Sequence, residues 1–410
     1  MHSTLSMSEK TRHYIQLEEQ YGAHNYHPLP VVLQKGQGVF MWDVDNKRYY
    51  DFLSGYSAVN QGHCHPAIMA AFMEQAAQLT LTSRAFYNNV LGEYEQFITA
   101  YFGYDKVLPM NTGVEAVETA IKLCRRWGYM VKGIPENKAT IIVCDQNFHG
   151  RTSTVISFST DPASYSRFGP FMPGFTVIPY NDLPALAAAL QDKNVAGFLV
   201  EPIQGEAGIV VPDDGYLSTA KKYCEDANVL FMADEIQTGL GRTGRMLACD
   251  HEDVHPDILI LGKALSGGTL PVSAVLANDE IMLTIKPGEH GSTYGGNPLA
   301  SKVAIAALTV LKEEKMTENA AVLGKFFRQQ LENLQSPHIT LVRGKGLLNA
   351  IVINHPDKEA AWELCLEMKE LGLLAKPTHG DKIRLAPPLV ITREQLTDCV
   401  QIIQQSLENL

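Results

Sequence analysis

The chain has 410 residues, 45% of them hydrophobic, and a formal net charge of −11 at pH 7. This length suits two or three domains, and an acidic chain without a basic tail offers no surface to a nucleic acid. The sequence has no uninterrupted run of about 18 apolar residues, which a membrane helix would need, and residues 1–19 lack the apolar core of a secretory signal. We therefore expect a globular, cytoplasmic protein that binds neither nucleic acid nor membranes.

Short apolar segments in the first three quarters of the chain predict strands that alternate with helices. Residues 39–52 have the pattern of a β-hairpin with its turn at Asp45 and Asn46, and helices are predicted at 67–78 and 114–129. The seven predicted strands of the central region are 106–110, 140–144, 175–178, 197–200, 229–233, 258–261 and 272–277. Such alternation predicts an α/β fold with a largely parallel sheet between layers of helices.

The last quarter of the chain is typical of a smaller α+β domain, with long helical segments and few strands. The predicted elements there are a helix at 299–332, an extended segment at 341–353, a helix at 358–371 and a final helix from Arg393. We therefore divide the chain into an N-terminal segment with its hairpin (1–55), a large domain that contains the predicted sheet (56–298) and a small C-terminal domain (299–410). The N-terminal segment is expected to pack against the small domain.

An acidic residue and a lysine each follow one of the predicted strands. Asp234 comes directly after strand 229–233, and Lys263 comes after strand 258–261 and one glycine. Because parallel strands bring their carboxyl ends to the same edge of a sheet, the two side chains can meet in one cleft. A pyridoxal phosphate site needs such a pair, a lysine for the Schiff base and a carboxylate for the ring nitrogen. Taken alone, Lys263 would be interpreted as a surface lysine and Asp234 as a helix N-cap.

The segment Thr112-Gly113-Val114 opens the helix that follows the first of these strands. Glycine lets the backbone approach a phosphate, and the free N–H groups at a helix start favour an anion. Thr-Gly is also common in ordinary turns, so this interpretation depends on the neighbouring lysine. Gln237, one helical turn after Asp234, can donate a hydrogen bond to the phenolic oxygen of the cofactor ring.

Phe148 and Arg151 follow the second of the seven strands. Phe148 can stack on a planar ring, and Arg151 can bind a carboxylate. On local grounds, a core aromatic residue and a solvated arginine are equally good interpretations.

Two further motifs indicate other chemistries. Residues 239–244 match the G-x-G-x-x-G pattern of dinucleotide-binding enzymes, but they do not directly follow a strand and no helical pattern comes after them. Residues 251–255 match the H-E-x-x-H pattern of zinc proteases, which requires both histidines on one helix, and Pro256 disfavours that geometry. We therefore expect no dinucleotide site at 239–244, a solvated loop at 251–255, and no metal site.

Six motifs occur together over nearly the whole chain. They are 111–116 (NTGVEA), 148–152 (FHGRT), 201–206 (EPIQGE), 234–239 (DEIQTG), 262–265 (GKAL) and 291–298 (GSTYGGNP). This set resembles the class III pyridoxal phosphate-dependent aminotransferases. The resemblance implies fold type I of the pyridoxal phosphate-dependent transferases, with a large domain around a mostly parallel seven-stranded sheet flanked by helices and a smaller α+β domain. It also implies a homodimer with active sites at the interface, or a higher oligomer built from it.

The resemblance implies a role for each residue at the cofactor. Lys263 forms the Schiff base and acts as general acid and base in the proton transfer. The other expected contacts are Asp234 on the ring nitrogen, Gln237 on the phenolic oxygen, Phe148 on the ring face, and Thr112, Gly113 and Val114 at the phosphate, joined there by Ser292 and Thr293 of the other subunit.

Within the family, the sequence is most similar to members that act on ornithine. The matching segments are 21–26 (YGAHNY), 57–63 (SAVNQGH), 82–87 (TSRAFY) and 372–378 (GLLAKPT). The resemblance implies transfer of the δ-amino group of L-ornithine to 2-oxoglutarate, a reaction of arginine and proline metabolism. The products are glutamate and glutamate 5-semialdehyde, which cyclises to pyrroline-5-carboxylate. Alternatives are an acetylornithine or 4-aminobutyrate aminotransferase, the aminomutase of glutamate semialdehyde, and a cofactor-binding protein without turnover.

Both substrates carry carboxylates, so one site must bind them in two different ways. By the resemblance, Arg384 binds the α-carboxylate of the oxoacid, and Glu206 masks this arginine when ornithine binds. Arg151 then holds the α-carboxylate of ornithine, with Tyr26 near its α-amino group and Tyr56 lining the pocket.

Overall fold

Strands are spread along the chain from residue 33 to residue 385. The computed structural model describes residues 7–410. The strands are β1 Leu33–Gln37, β2 Phe40–Asp43, β3 Arg48–Asp51, β4 Lys106–Met110, β5 Thr140–Cys144, β6 Phe175–Ile178, β7 Val195–Val200, β8 Leu230–Asp234, β9 Ile258–Leu261, β10 Ser273–Ala277, β11 Ile339–Lys345, β12 Leu348–Ile353, β13 Leu373–Leu374, β14 Lys376–Thr378 and β15 Lys382–Leu385.

Helices separate most of these strands. They are α1 Glu9–Tyr21, α2 Ser54–Ser57, α3 Pro66–Ala76, α4 Leu91–Phe102, α5 Gly113–Met130, α6 Pro162–Tyr165, α7 Leu183–Ala189, α8 Tyr216–Asp226, α9 Asp279–Met282, α10 Pro298–Glu313, α11 Met316–Asn333, α12 Ala360–Glu370 and α13 Arg393–Glu408. Of these, α2 is a single turn whose backbone is left-handed.

A seven-stranded sheet contains all of the strands predicted for the central region, in the order β4-β10-β9-β8-β7-β5-β6. Neighbouring strands are parallel from β9 to β6, and β10 runs antiparallel to both of its neighbours, β9 and β4. Each predicted strand is present with bounds that agree within two residues. The predicted α/β fold with a mostly parallel sheet is confirmed.

Helix α5 covers part of one face of this sheet. A capping box closes its N-terminus, because the side chains of Thr112 and Glu115 each accept a hydrogen bond from the other residue's backbone. Gly128 allows the helix to approach β7, since a Cβ atom there would lie 2.9 Å from the Cβ of Ala196. Because β4, β8 and β9 run in the same direction, the start of α5 and the residues after β8 and β9 meet at one edge.

The other strands form two sheets of four. One of them has the strand order β1-β2-β3-β13. The antiparallel pairing of β2 with β3 in this sheet confirms the hairpin predicted at 39–52. Strand β13, from the last part of the chain, pairs in parallel with β3 and places Leu373 opposite Tyr50. The other sheet, β11-β12-β15-β14, is antiparallel throughout.

The domain boundaries at 55 and 298 stay predictions. One cluster of buried apolar side chains contains residues from Val39 to Leu407, so these parts of the chain share a core. No helix within residues 7–410 is both long enough and apolar enough to span a lipid bilayer.

Two predictions for the last quarter of the chain need correction. The helix predicted at 299–332 is two helices, α10 and α11, separated at Lys315, where φ is +52°. The extended segment predicted at 341–353 is a hairpin of β11 and β12 that turns at Gly346, where φ is +55°. The other predicted helices correspond to α3, α5, α12 and α13.

Candidate active site

A cleft opens at the edge of the sheet where β4, β8 and β9 end. It is lined by Gly113, Val114, Phe148, His149, Gly150, Glu201, Glu206, Asp234, Ile236, Gln237, Thr238 and Lys263. Asp234 is the last residue of β8, and Lys263 comes two residues after the end of β9. The structure therefore brings the predicted acid and the predicted lysine into one cleft.

The surroundings of Lys263 favour a neutral amine. Its backbone is left-handed, with φ at +46°, at the start of a 3-10 turn that follows Gly262. Withdrawal from water lowers the pKa of the Lys263 amine to about 8, and the negative charge of Glu206 opposes this shift. Near neutral pH, such an amine has a substantial neutral fraction that can attack an aldehyde.

Asp234 is buried and contacts a histidine to which the sequence analysis assigned no role. The Oδ1 atom of Asp234 accepts a hydrogen bond from the N–H of Ile236 at 3.1 Å, and its Oδ2 atom lies 2.7 Å from Nδ1 of His149. Burial lowers the pKa of His149, but the hydrogen bond and the charge of Asp234 outweigh burial, so the pKa is raised. Both carboxylate oxygens of Asp234 are thus held in place.

A second buried carboxyl group, that of Glu201, lines the cleft beside His149. Glu201 accepts hydrogen bonds from the N–H of Phe148 at 2.8 Å and from the N–H of Gly205 at 3.2 Å. Burial raises the pKa of Glu201 to about 7, although the charge of His149 opposes the shift. Glu201 therefore fixes the backbone of Phe148, the residue predicted to stack on the cofactor ring.

The N-terminus of α5 presents two free N–H groups. The hydroxyl group of Thr112 is engaged with Glu115 in the helix cap, and Thr112 is not among the residues that line the cleft. The N–H groups of Gly113 and Val114 have no acceptor within residues 7–410. Gly150 makes room beside them, because a Cβ atom there would lie 2.4 Å from Cγ2 of Val114.

Ser292 and Thr293 lie outside the cleft of their own chain, in the loop that precedes α10. The Oγ atom of Ser292 accepts hydrogen bonds from Nδ2 of Asn111 at 2.8 Å and from the N–H of Gly295 at 2.9 Å, and Thr293 is exposed. Their predicted contact with the phosphate in another subunit stays a prediction.

Gln237, which is predicted to contact the cofactor ring, lies close to Glu206, a predicted substrate residue. Its Nε2 atom lies 3.3 Å from Oε1 of Glu206, and its Oε1 atom is buried without a partner among the described residues. Gly205 provides the space for this side chain, since a Cβ atom there would lie 1.5 Å from Oε1 of Gln237. On the other side of the cleft, the Cζ atom of Arg151 lies 5.5 Å from the ring centroid of Phe148.

Glu206 and Arg384 form an ion pair. The side chain of Arg384, on β15, is 1% exposed, and its Nη2 atom lies 3.1 Å from Oε1 of Glu206. Burial raises the pKa of Glu206, but the charge of Arg384 outweighs this effect and holds the pKa below its usual value. The Nε and Nη1 atoms of Arg384 have no partner in the part of the chain that the structure describes. The two residues that the family resemblance pairs are in contact here.

Tyr56 lies against Arg384 and interacts electrostatically with the other predicted substrate residues. The Cζ atom of Arg384 lies 5.3 Å from the centroid of the Tyr56 ring. Burial, followed by the charge of Glu206, raises the pKa of the Tyr56 hydroxyl group, and Tyr26 and Arg151 also act on it electrostatically. Tyr26 is 70% exposed. Arg384 therefore lies against the Tyr56 ring, and the other three predicted substrate residues lie near enough to act electrostatically on its hydroxyl group.

The two motifs that the sequence analysis set aside both lie in turns. Arg242, within the glycine-rich motif, is fully buried and donates hydrogen bonds to the backbone oxygens of Leu347 and Pro387. In the other motif, residues 249–252 form a 3-10 turn that ends at a left-handed Asp253, so the two histidines do not share a helix.

Comparison with known proteins decides the family. The model of the family described as "Aminotransferase class-III" matches residues 21–407. The chain belongs to the class III aminotransferases. Like other members of this family, this aminotransferase is a pyridoxal phosphate-dependent enzyme.

Named relatives and solved structures agree with this assignment. The aminotransferase is 65% identical to the mitochondrial ornithine aminotransferase of Rattus norvegicus over 95% of this chain and 89% of the relative. The structure of the ornithine aminotransferase from Toxoplasma gondii, described with partial occupancy of pyridoxal phosphate, matches with a TM-score of 0.96 at 50% identity, over 97% of this chain and 94% of that chain. The acetylornithine aminotransferase from Elizabethkingia anophelis matches with a TM-score of 0.89 at 60% identity, over 98% and 99% of the two chains.

The cleft of this aminotransferase fits pyridoxal phosphate. Lys263 offers an amine of lowered pKa to the aldehyde, and Asp234 offers a buried carboxylate to the ring nitrogen. Gly113 and Val114 offer free N–H groups at a helix start, which suits the phosphate dianion. These donors and acceptors match the three polar ends of the cofactor.

Proposed function

We propose that this chain transfers the δ-amino group of L-ornithine to 2-oxoglutarate. The products would be glutamate and glutamate 5-semialdehyde, which cyclises to pyrroline-5-carboxylate. The ion pair of the buried Arg384 with the partly exposed Glu206, beside Tyr56, carries this proposal, because it can hide a carboxylate-binding arginine from one substrate and offer it to the other. The 65% identity to the ornithine aminotransferase of Rattus norvegicus supports the same substrate.

The ion pair would work as a gate between two binding modes. While Glu206 neutralises Arg384, a substrate carboxylate gains little at that arginine, and the α-carboxylate of ornithine binds Arg151 instead. When Glu206 moves away, the buried guanidinium of Arg384 can bind the α-carboxylate of 2-oxoglutarate through two parallel hydrogen bonds. The two guanidinium nitrogens without a partner among the described residues support this second mode.

Residues of the cleft would hold the cofactor and move the proton. Pyridoxal phosphate, when bound, supplies an aldehyde that exchanges amino groups and a ring that accepts electrons from the reacting carbon. Lys263, Asp234, Gln237, Phe148 and the start of α5 would hold it. The Nζ atom of Lys263 would take the proton from the substrate carbon and pass it to the cofactor carbon that carried the aldehyde, since its lowered pKa suits both steps.

A homodimer with shared active sites would complete the phosphate site. The exposed aromatic side chains of Phe86, Tyr87 and Tyr294 support an interface near Ser292 and Thr293. In a dimer these aromatic residues would be covered, and the two hydroxyl groups would reach the phosphate of the partner subunit. Sedimentation of the purified holoenzyme tests the dimer, because a monomer at all concentrations would exclude it.

The cellular role and organisation are also proposals. Relatives include proteins named as mitochondrial, so cytoplasmic location stays a prediction from the sequence, as does a place in arginine and proline metabolism. We also propose that the chain is divided into an N-terminal segment, a large domain and a small domain. Limited proteolysis tests this division.

A substrate competition decides between the proposed activity and its runner-up. The structural match to an acetylornithine aminotransferase makes N-acetylornithine the strongest rival amine. The holoenzyme should convert ornithine with a higher kcat/KM than N-acetylornithine or 4-aminobutyrate, with the cyclised product trapped as it forms. Equal or better turnover of N-acetylornithine would overturn the proposal.

A further inference from the structure

The backbone that carries Tyr56 is a left-handed turn. Ser54, Gly55, Tyr56 and Ser57 have φ angles of +49°, +56°, +59° and +70°. Three of these residues carry side chains, and side chains disfavour this region, so four consecutive left-handed residues persist only where surrounding contacts impose them. Such strain is concentrated at functional sites in proteins.

A buried carboxylate, that of Asp51, and the partly exposed His63 hold the entry to the turn. The Oδ1 atom of Asp51 accepts hydrogen bonds from the N–H of Leu53 at 2.9 Å and from the N–H of Ser54 at 2.8 Å. The Oδ2 atom of Asp51 lies 2.7 Å from Nε2 of His63. Asp51 is 2% exposed, so these contacts are shielded from water.

The turn is also tied to the strand that carries Arg384. The hydroxyl group of Ser54 donates a hydrogen bond to the backbone oxygen of Ala386 at 2.7 Å, and the N–H of Ala386 donates to the oxygen of Phe52 at 2.8 Å. Tyr56 comes two residues after Ser54, and Arg384 comes two residues before Ala386. This clamp therefore fixes the position of the Tyr56 ring relative to the guanidinium of Arg384.

We propose that Asp51, Ser54 and His63 are positioning residues for substrate choice, because they impose the left-handed turn that holds Tyr56 against Arg384. The ring shields the ion pair of Arg384 with Glu206 from water. If the turn relaxes, the ring withdraws, water weakens the pair, and the α-carboxylate of glutamate or 2-oxoglutarate competes better for Arg384. This inference rests on the proposed function and assigns a structural basis to its selectivity.

Substitutions at Gly55 isolate the backbone conformation. A Cβ atom at Gly55 would lie 3.4 Å from Cγ2 of Val59, an ordinary contact, so Gly55→Ala adds little beyond the cost of a left-handed alanine. Gly55→Asn adds a larger side chain that tolerates this region better than other residues do. Gly92→Ala is the matched control, since Gly92 lies exposed in the right-handed helix α4 with open space around it.

The readout is the ratio of single-turnover efficiencies for ornithine and glutamate, measured on holoenzymes with their cofactor absorbance recorded. Gly55→Ala should lower this ornithine preference by about tenfold, while Gly55→Asn and Gly92→Ala keep it close to that of the unmodified protein. Ser54→Ala removes the hydrogen bond to Ala386 and should also lower the ornithine preference. It replaces Gly55→Ala as the test if Gly55→Ala does not fold. An unchanged ratio in Gly55→Ala or Ser54→Ala would overturn this inference. Failure of the unmodified protein to convert ornithine would instead overturn the proposed function.

Discussion

The Oε1 atom of Glu206 lies 3.1 Å from Nη2 of Arg384 and 3.3 Å from Nε2 of Gln237. One carboxylate oxygen therefore joins the arginine predicted to bind the oxoacid to the residue predicted to contact the cofactor ring. A movement of Glu206 would change both contacts at once, so substrate binding and the surroundings of the cofactor are coupled through this side chain.

Lys263→Ala should retain cofactor binding and lose turnover. Loss of the amine removes both the covalent attachment of the cofactor and the group that transfers the proton. The proton-transfer group alone accelerates such a reaction by about 100-fold to 10,000-fold. Steady-state rates with ornithine, together with cofactor absorbance of the dialysed protein, measure the two effects. Lys325→Ala, at an exposed position of α11, is the control and should behave like the unmodified protein. Turnover by Lys263→Ala at the unmodified rate would refute the role.

The uptake of pyridoxal phosphate by the apoprotein should depend on the protonation of Lys263. Only the neutral amine attacks an aldehyde, and withdrawal from water places the pKa of Lys263 at about 8. The rate of uptake should therefore be low below this pH, rise through it and level off above it. Stopped-flow absorbance at a series of pH values gives the midpoint, and a midpoint near the ordinary value of a solvated lysine would be inconsistent with the structure.

His149→Leu should weaken cofactor binding. The substitution leaves Oδ2 of Asp234 buried without the partner that now lies 2.7 Å away, and an unsatisfied buried group costs about 1–3 kcal/mol. We expect the Kd for pyridoxal phosphate to rise by about tenfold or more, as measured by titration of the apoprotein. His13→Leu, on the exposed face of α1, should leave the Kd unchanged. Equal Kd values in the two variants would show that His149 does not support Asp234.

Local sequence patterns predicted the central sheet because its strands are short apolar runs, most of them buried on both sides. Strands β7 and β9 are buried at every position, so their sequences read as strands without any knowledge of the tertiary structure. The break at Lys315, where the backbone is left-handed, left no such signal, since no glycine or proline marks it. The left-handed turn at 54–57 contains Gly55, but its other three residues carry side chains that disfavour this conformation, so the sequence did not indicate it.

The site was predictable where it follows strand ends and unpredictable where it depends on distant contacts. Asp234 ends β8 and Lys263 comes two residues after β9, so topology alone brought them together. The role of His149 depends on Asp234, which is 85 residues away in the chain, and Glu201 acts through the backbone of Phe148. The contact of Glu206 with Arg384 was expected only from the family resemblance, because neither local pattern indicates a partner.

The central claim is that the pair of Glu206 with Arg384 makes this chain select ornithine in one half-reaction and 2-oxoglutarate in the other. The most direct measurement is the ratio of single-turnover efficiencies with ornithine and with glutamate, in the unmodified protein, in Glu206→Ala and in the control Glu280→Ala at an exposed position of α9. Without its carboxylate partner, Arg384 is free to bind the glutamate α-carboxylate, so Glu206→Ala should shift the ratio towards glutamate by about tenfold or more. A ratio in Glu206→Ala equal to that of the unmodified protein would contradict the account.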